Sequence, residues 1–325
     1  MIYLDNHLKN MSVYIKQNGA VKRFDSGDSW TILSPIEENI KKKIEAMGKP
    51  LKDWDIQINY GIKTGFNEAF IINHAKRDEL IAADPKSAEI IRPILRGRDI
   101  KRYGYTFADL WVILAKFGSH EYLENKYPAI FKHLKKYENE LKQRGQCQYT
   151  SSRRVNTGKS YPGQHHWLEL DNNPSDKYLD DFSKQKIMWA ETMRIHKSNI
   201  TDFPRFSYTD EPFFTDKTCF IATGNYLLFI LAFLNSSVGR FLFKRHVSIL
   251  DNGGYLMQKI YLEHISLPQT TTKQMNFIGN MALSNIIEKS DSKSPEIDQA
   301  FYTLLDIKPI ESKFIECDNK EPLSR

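Results

Sequence analysis

The chain has 325 residues, 41% of them hydrophobic and 26% charged, with a formal net charge of +6. That length buries the core of one large domain or two smaller ones, and the apolar content excludes a disordered or fibrous chain. The positive balance favours a polyanionic partner, although many plain enzymes are as basic. Cys147, Cys219 and Cys317 are odd in number and far apart, so neither a disulfide framework nor a paired-cysteine metal knuckle is built from them. The opening MIYLDNHLKN lacks a basic start followed by an apolar stretch, and no run of about eighteen apolar residues occurs. Secretion and membrane spanning are not expected; a reduced, cytoplasmic protein is.

In chain order, residues up to about Ala20 show no periodic pattern. SPIEENIKKKIEAMGKP predicts one complete helix, with Ser34 as cap, Pro35 in the first turn and Glu37 closing a capping box. Ile36, Ile40, Ile44 and Met47 make its apolar stripe, and Gly48 with Pro50 ends it. Ala69–Asn73 and Leu110–Ala115 have the length and composition of strands. A second helix opens at Pro128, carries Ile130, Leu134, Tyr137 and Leu141 on one face and stops at Gly145. From Gln146 to about Asp181 the chain is polar and turn-rich, which points to a functional loop or an irregular binding surface. Lys186–Glu191 and Lys217–Thr223 read as strands. The stretch from Asn225 to Val247 reads as a single long buried helix, and YLEHISLPQ as a last edge strand. Two amphipathic helical segments follow from about Thr270, with no internal repeat anywhere.

Several catalytic patterns can be tested directly. Adenine methyltransferases need a glycine-bearing turn for S-adenosylmethionine and a D/N/S-P-P-Y/F loop that holds the flipped base; neither occurs. Asn173-Pro174-Ser175-Asp176 lacks the second proline and the aromatic, and reads as a turn. GIKTG, Gly61 to Gly65, is not a phosphate loop, which needs four residues between its glycines followed by Lys and Ser or Thr. It reads as a tight turn, compatible with DNA-backbone contacts from Lys63, Thr64 and Asn67. Asp298 with Glu311 and Lys313 has the letters of a Mg²⁺ nuclease site, but on an amphipathic helix rather than a strand. His165 and His166 are adjacent, a poor spacing for two ligands of one metal and better suited to a solvated or DNA-facing pair.

Two basic stretches survive as DNA-contact candidates. RPILRGRDIKRYGY gathers Arg92, Arg96, Arg98, Lys101 and Arg102 with Tyr103 and Tyr105, giving phosphate clamps and a bidentate guanine reader, or else a solvated charged turn. The irregular segment holds Arg144, Arg153, Arg154, Asn156, Lys159, His165 and His166, side chains that pair with base edges in the major groove. Arg194, beyond the strand at Lys186, joins the same set.

Six segments, in order, resemble the TaqI-like C-terminal specificity domain of type IIG restriction-modification enzymes and related DNA adenine methyltransferases. They are GIKTGFNEAF (Gly61 to Phe70), PILRGRDIKRY (Pro93 to Tyr103), YPAIFKHL, WLEL with KIMW, FLNSS (Phe233 to Ser237) and EIDQAFYTL (Glu296 to Leu304). The match spans roughly Trp30 to Glu316. The resemblance implies recognition of a double-stranded DNA sequence beside a methyltransferase domain or subunit, the loops between the shared segments choosing the bases. That portion would supply S-adenosylmethionine, and Mg²⁺ where a nuclease is attached; this chain itself would hold no cofactor and do no chemistry alone.

The expectation is therefore an α+β fold: a mixed-sheet target-recognition domain over residues 20–270, then a helical appendix over 271–325. The appendix resembles the spacer helices of type I specificity subunits, which hold the methyltransferase partner. Three rivals stay open: a divergent nuclease or methyltransferase, a protein-interaction module or non-specific DNA clamp, and another defence-system methyltransferase component sharing this domain.

Overall fold

The computed structural model describes residues 33–147, 161–172, 174–196 and 198–320. The chain divides into a short unit, residues 1–39, and a compact unit, residues 40–325. In the first, the Ser34 amide donates to Glu37 Oε2 at 2.8 Å and the Glu37 amide donates to Ser34 Oγ at 3.4 Å, the predicted capping box. The helix it starts, α1, runs Pro35–Met47, with Ile40 and Ile44 buried.

In chain order there follow β1 (Gly48–Pro50), β2 (Ile56–Tyr60), α2 (Asn67–Phe70), β3 (Ile71–Asn73), α3 (His74–Ala83), β4 (Ile91–Leu95), β5 (Ile100–Lys101), β6 (Gly104–Tyr105) and β7 (Leu110–Ile113). Then come α4 (Leu123–Lys126), α5 (Pro128–Lys135), α6 (Glu138–Gln143), α7 (Asp176–Asp180), β8 (Lys186–Ala190), β9 (Thr192–Arg194), β10 (Phe206–Thr209), β11 (Phe214–Thr215) and β12 (Cys219–Gly224). The remainder is α8 (Leu227–Asn235), α9 (Ser237–His246), β13 (Gly254–Leu256), α10 (Lys259–Leu262), β14 (Ser266–Pro268), α11 (Thr272–Glu288), α12 (Ser294–Leu304) and α13 (Pro309–Lys320).

One four-stranded sheet, in the order β10-β8-β12-β2, is antiparallel throughout; the other, β11-β4-β7-β3, is mixed because β11 runs parallel to β4. The fold is α+β with mixed sheets and a helical C-terminal region, as the sequence predicted. Ile94, Val112, Ile113, Met188 and Ile221 are buried in one continuous core shared by the two sheets, with Leu123, Ile130 and Leu134 of the helices packed into it. That shared core fixes the strand ends that carry the candidate site.

Four expected helices or strands come out divided, the last C-terminal helical segment among them, which forms α12 and α13. The stretch from Asn225 makes α8 and α9, bent by 71° at Ser236. The Ser236 hydroxyl accepts from the Gly239 amide at 3.1 Å and donates to the Phe233 carbonyl at 2.7 Å, so one side chain closes α8 and caps α9. The helix from Pro128 breaks after Lys135 into α5 and α6. YLEHISLPQ supplies α10 before the short strand β14, which pairs with β1. The C-terminal helices lie within the compact unit, where α11 packs along α8. Among the described residues no single helix is long and apolar enough to cross a membrane; the bent α8–α9 pair passes on length and composition together, and its apolar side chains are buried in the protein.

Candidate nucleic-acid interface

The site is built on the turn Gly97–Asp99 between β4 and β5. Asp99 accepts from Arg96 three times: from the backbone amide and Nε through Oδ2, and from Nη2 through Oδ1, each at 2.9 Å. Burial opposes the charge on Asp99, but the Arg96 hydrogen bonds outweigh it and hold the carboxyl below the usual range. Arg96 is thus clamped against its own turn. Gly97 lets that turn lie against the β8–β12 ladder: a Cβ there would sit 3.1 Å from the Ala190 Cβ and 3.4 Å from Thr218 Oγ1. With Arg96 fixed and Gly97 pressed down, Arg98 and Lys101 project to solvent, and Lys101 Nζ donates to the Arg98 carbonyl at 2.8 Å.

The facing wall comes from β9 and the chain after it. Arg194 is exposed, as is His196, while Arg205 donates to Asp202 Oδ2 and to the Arg194 carbonyl, both at 3.1 Å. Together these residues line a cleft of about 710 Å³ with Ala190, Glu191 and Asp216 at its floor. Glu191 accepts from Gln258 Nε2 at 2.7 Å, and Asp216 accepts from the Thr218 amide and hydroxyl at 3.0 and 2.6 Å. With Arg96 and Arg205 paired internally, the side chains of Arg98, Lys101 and Arg194 have no carboxylate within 4 Å among the described residues. Three unneutralised cations on a rigid frame are suited to an extended polyanion, whose phosphates they would meet without first breaking a salt bridge.

The other predicted contact residues do not share this cleft. Arg102 turns away from it: Nε donates to Asp291 Oδ1 at 2.7 Å and Nη1 to the Pro204 carbonyl at 3.2 Å. Lys63, Thr64 and Asn67 sit in the GIKTG turn and the helix start after it. Thr64 is buried and donates to Asn67 Oδ1 at 2.6 Å, and Lys63 Nζ lies 3.8 Å from Asp171 Oδ2. The motif's glycines have a steric cause. A Cβ at Gly61 would fall 2.0 Å from the Asp216 carbonyl oxygen, and Gly65, at φ +72°, would place one 2.5 Å from Asp171 Oδ1.

Arg144 and His165 are buried. Arg144 donates to the carbonyls of Leu141, Thr64 and Trp167 and to Asp171 Oδ1, using Nε, Nη1 and Nη2. His165 Nε2 lies 2.9 Å from Asp171 Oδ1, its Nδ1 2.9 Å from the His166 carbonyl and 3.6 Å from Cys147 Sγ. Burial works against charging His165, yet the Asp171 hydrogen bond prevails and raises it to about 9. The half-buried His166 goes the other way, to about 4, first through burial and then through His120, whose ring stacks on it at 4.5 Å. Arg144, His165 and Asp171, at the described ends of a stretch that the sequence presented as a binding surface, instead form a hydrogen-bonded polar core with the Arg144 and His165 donors spent inside the protein. Arg153, Arg154, Asn156 and Lys159 lie outside the described residues.

Arg205 and His196 belong to the cleft and were not singled out from the sequence. Arg205 follows a cis Phe203–Pro204 bond in the chain, and His196 stands two residues beyond Arg194. Basic residues just past a strand end were the available signal, used for Arg194 alone.

The nuclease-like letters have structural work instead. Asp298 accepts from the Ser237 amide at 2.7 Å and hydroxyl at 2.6 Å, capping α9, and buried Glu311 accepts from Lys43 Nζ at 2.6 Å and from the Lys308 amide at 2.7 Å.

No family model matches the chain, and no curated protein matches it. Among solved structures it is similar to the type IIL restriction-modification enzyme MmeI, solved in complex with DNA, at 14% identity and a TM-score of 0.57, covering 84% of this chain and 36% of that one. It also aligns with the type IIG restriction endonuclease BpuSI at 14% identity and a TM-score of 0.46, covering 85% of this chain and 33% of that one. The likeness to MmeI is one of fold, and this chain spans about a third of the length of each enzyme.

Proposed function

We propose that this chain recognises a double-stranded DNA sequence as the TaqI-like target-recognition part of a cytoplasmic restriction-modification enzyme or adenine methyltransferase. The observation that carries the reading is the cleft in which Arg98 and Lys101, at a clamped turn, and Arg194, on the facing wall, stand without carboxylate partners among the described residues. The fold shared with an enzyme solved in complex with DNA supports it. Lys101, and Lys63 at the GIKTG turn, would hold phosphates and set the register; Arg98 or Arg194, each with a whole guanidinium to offer, would read guanine O6 and N7. Arg153, Arg154, Asn156 and Lys159 are proposed as further base readers on their chemistry alone. Arg144, His165 and Thr64 would act indirectly, by holding the surface that the contacts stand on.

In this reading the chain is not itself an enzyme. A methyltransferase domain or subunit would bring S-adenosylmethionine and take the flipped adenine into its own pocket, and an attached nuclease would bring Mg²⁺. The test is enrichment of random-sequence duplexes by the purified chain at two salt concentrations, repeated with Arg98→Ala/Arg194→Ala. An enriched motif that the double variant loses supports sequence reading. Retention without a motif reduces the role to a non-specific clamp, and no retention at low salt favours a protein-interaction module.

A further inference from the structure

Arg240, on α9, lines a second cavity of about 460 Å³ that the DNA cleft does not include. Its side chain is 6% exposed. Nη1 donates to the carbonyls of Ile200 at 2.5 Å and Phe203 at 3.0 Å, which fixes the guanidinium in place. Nε and Nη2 are buried and have no hydrogen-bond partner among the described residues. These two nitrogens form one edge of the guanidinium, the edge that takes an oxyanion through two parallel hydrogen bonds. A native protein seldom leaves such a pair of buried donors unmet.

The acids around the cavity do not meet that need. Asp291 is spent on Arg102, Asp298 accepts from Ser237 with both oxygens, and Glu316 is exposed to solvent. Arg102 adds a second guanidinium to the lining, and its charge with burial lowers Arg240 to about 10, burial being the larger cause. An acceptor is unmet as well: Asn319, 8% exposed, donates through Nδ2 to the Ser237 carbonyl at 3.0 Å while its Oδ1 has no partner. Phe203 and Pro204 supply apolar wall.

We propose that this cavity binds a phosphate monoester of a hydroxylated small molecule, with two phosphoryl oxygens on the Nε–Nη2 edge of Arg240 and a hydroxyl of the esterified alcohol donating to Asn319 Oδ1. A sugar phosphate carries both groups within one small molecule, as a simple carboxylate does not. A backbone phosphodiester of DNA offers the oxygens without the hydroxyl, and the site does not depend on the DNA-reading role of the cleft.

The test is calorimetric titration of the full chain with inorganic phosphate and with AMP, chloride balancing the ionic strength. Wild type should give saturable one-to-one binding of AMP at millimolar concentration or below. Arg240→Lys keeps the charge and loses the fork, so AMP should bind about tenfold or more weakly. Thr201→Trp, filling the cavity from an exposed lining position, should also weaken it and decides the matter if Arg240→Lys does not fold. Thermal unfolding without ligand checks each variant. Absence of saturable binding, or AMP affinity unchanged in a folded variant, overturns the site. Short duplexes test that choice: unchanged duplex affinity in the variants supports a free ester, and duplex affinity that falls in step with AMP affinity overturns it in favour of a DNA phosphate. Arg98→Ala/Arg194→Ala should leave AMP binding intact, so loss of the DNA-reading proposal does not take this one with it.

Discussion

Replacing His165 by Gln isolates one electrostatic contribution to stability. His165 is raised from 6.5 to about 9 in the folded protein, with burial opposing the charge and the hydrogen bond to Asp171 Oδ1, 2.9 Å away, overcoming it. A group raised on folding contributes stability that is complete below its unfolded value and disappears as pH climbs through its folded value. Integrated from pH 6.5 to pH 9, the proton linkage amounts to about 2–3 kcal/mol. Wild-type stability alone would blur this, because His133, His166 and His246 are lowered by burial and Lys186 to about 8, and all of these titrate in or near the same range with the opposite sign. His133, His246 and Lys186 are shifted by other groups, and the charge on His165 is a lesser cause of the lowering of His166, after burial, so the difference between the two proteins is chiefly that of His165. Urea unfolding followed by tryptophan fluorescence at steps from pH 6.5 to pH 9 should show the wild-type advantage shrinking by about 2–3 kcal/mol. An advantage that stays constant or grows with pH would refute a charged His165 held by Asp171.

Gly65→Ala should cost about 3 kcal/mol in the same assay, from a left-handed backbone at φ +72° and a Cβ driven to 2.5 Å from Asp171 Oδ1 and 2.7 Å from Arg144 Cδ. Fluorescence anisotropy on a duplex across a salt series should give a plot of log affinity against log salt whose slope becomes shallower by about 0.9 for Lys101→Ala, the phosphate contact of the cleft. A slope unchanged in that variant would remove Lys101 from the DNA interface. Asp298→Ala should lower stability by about 1–2 kcal/mol through loss of the Ser237 cap, read by thermal unfolding.

The elements legible in the sequence were those set by local chemistry. The capping box of Ser34 and Glu37, the β-rich stretches around Val112, Met188 and Ile221, and the amphipathic helix from Thr272 form where periodicity and caps placed them, while the last helical segment divides into α12 and α13. The break at Ser236 was also written locally, since a serine that caps Gly239 is a helix start, but it was hidden inside an apolar run that continues on both sides. Two of the segments behind the family resemblance prove to touch: Ser237, after Leu-Asn-Ser, is held by Asp298 of EIDQAFYTL, and Asn235 makes two hydrogen bonds to the backbone of Phe206. The motifs were readable one by one, and their partnership was not.

For the candidate site, the sequence by itself determined which side chains were chemically suited to a polyanion, and of the grouped Arg92, Arg96, Arg98, Lys101 and Arg102 the fold brings Arg96, Arg98 and Lys101 to one cleft because they share one turn. Only the tertiary structure decided which of them are available. Whether an arginine is spent depends on what the fold brings to it: Asp99 for Arg96, Asp291 for Arg102, three carbonyls and Asp171 for Arg144. Arg194 and Arg98 come to one cleft although 96 positions separate them, since β8 and β9 lay their end beside the turn after β4. Composition gives charge, but burial and pairing decide where that charge can act, and both arise from contacts between residues distant in sequence.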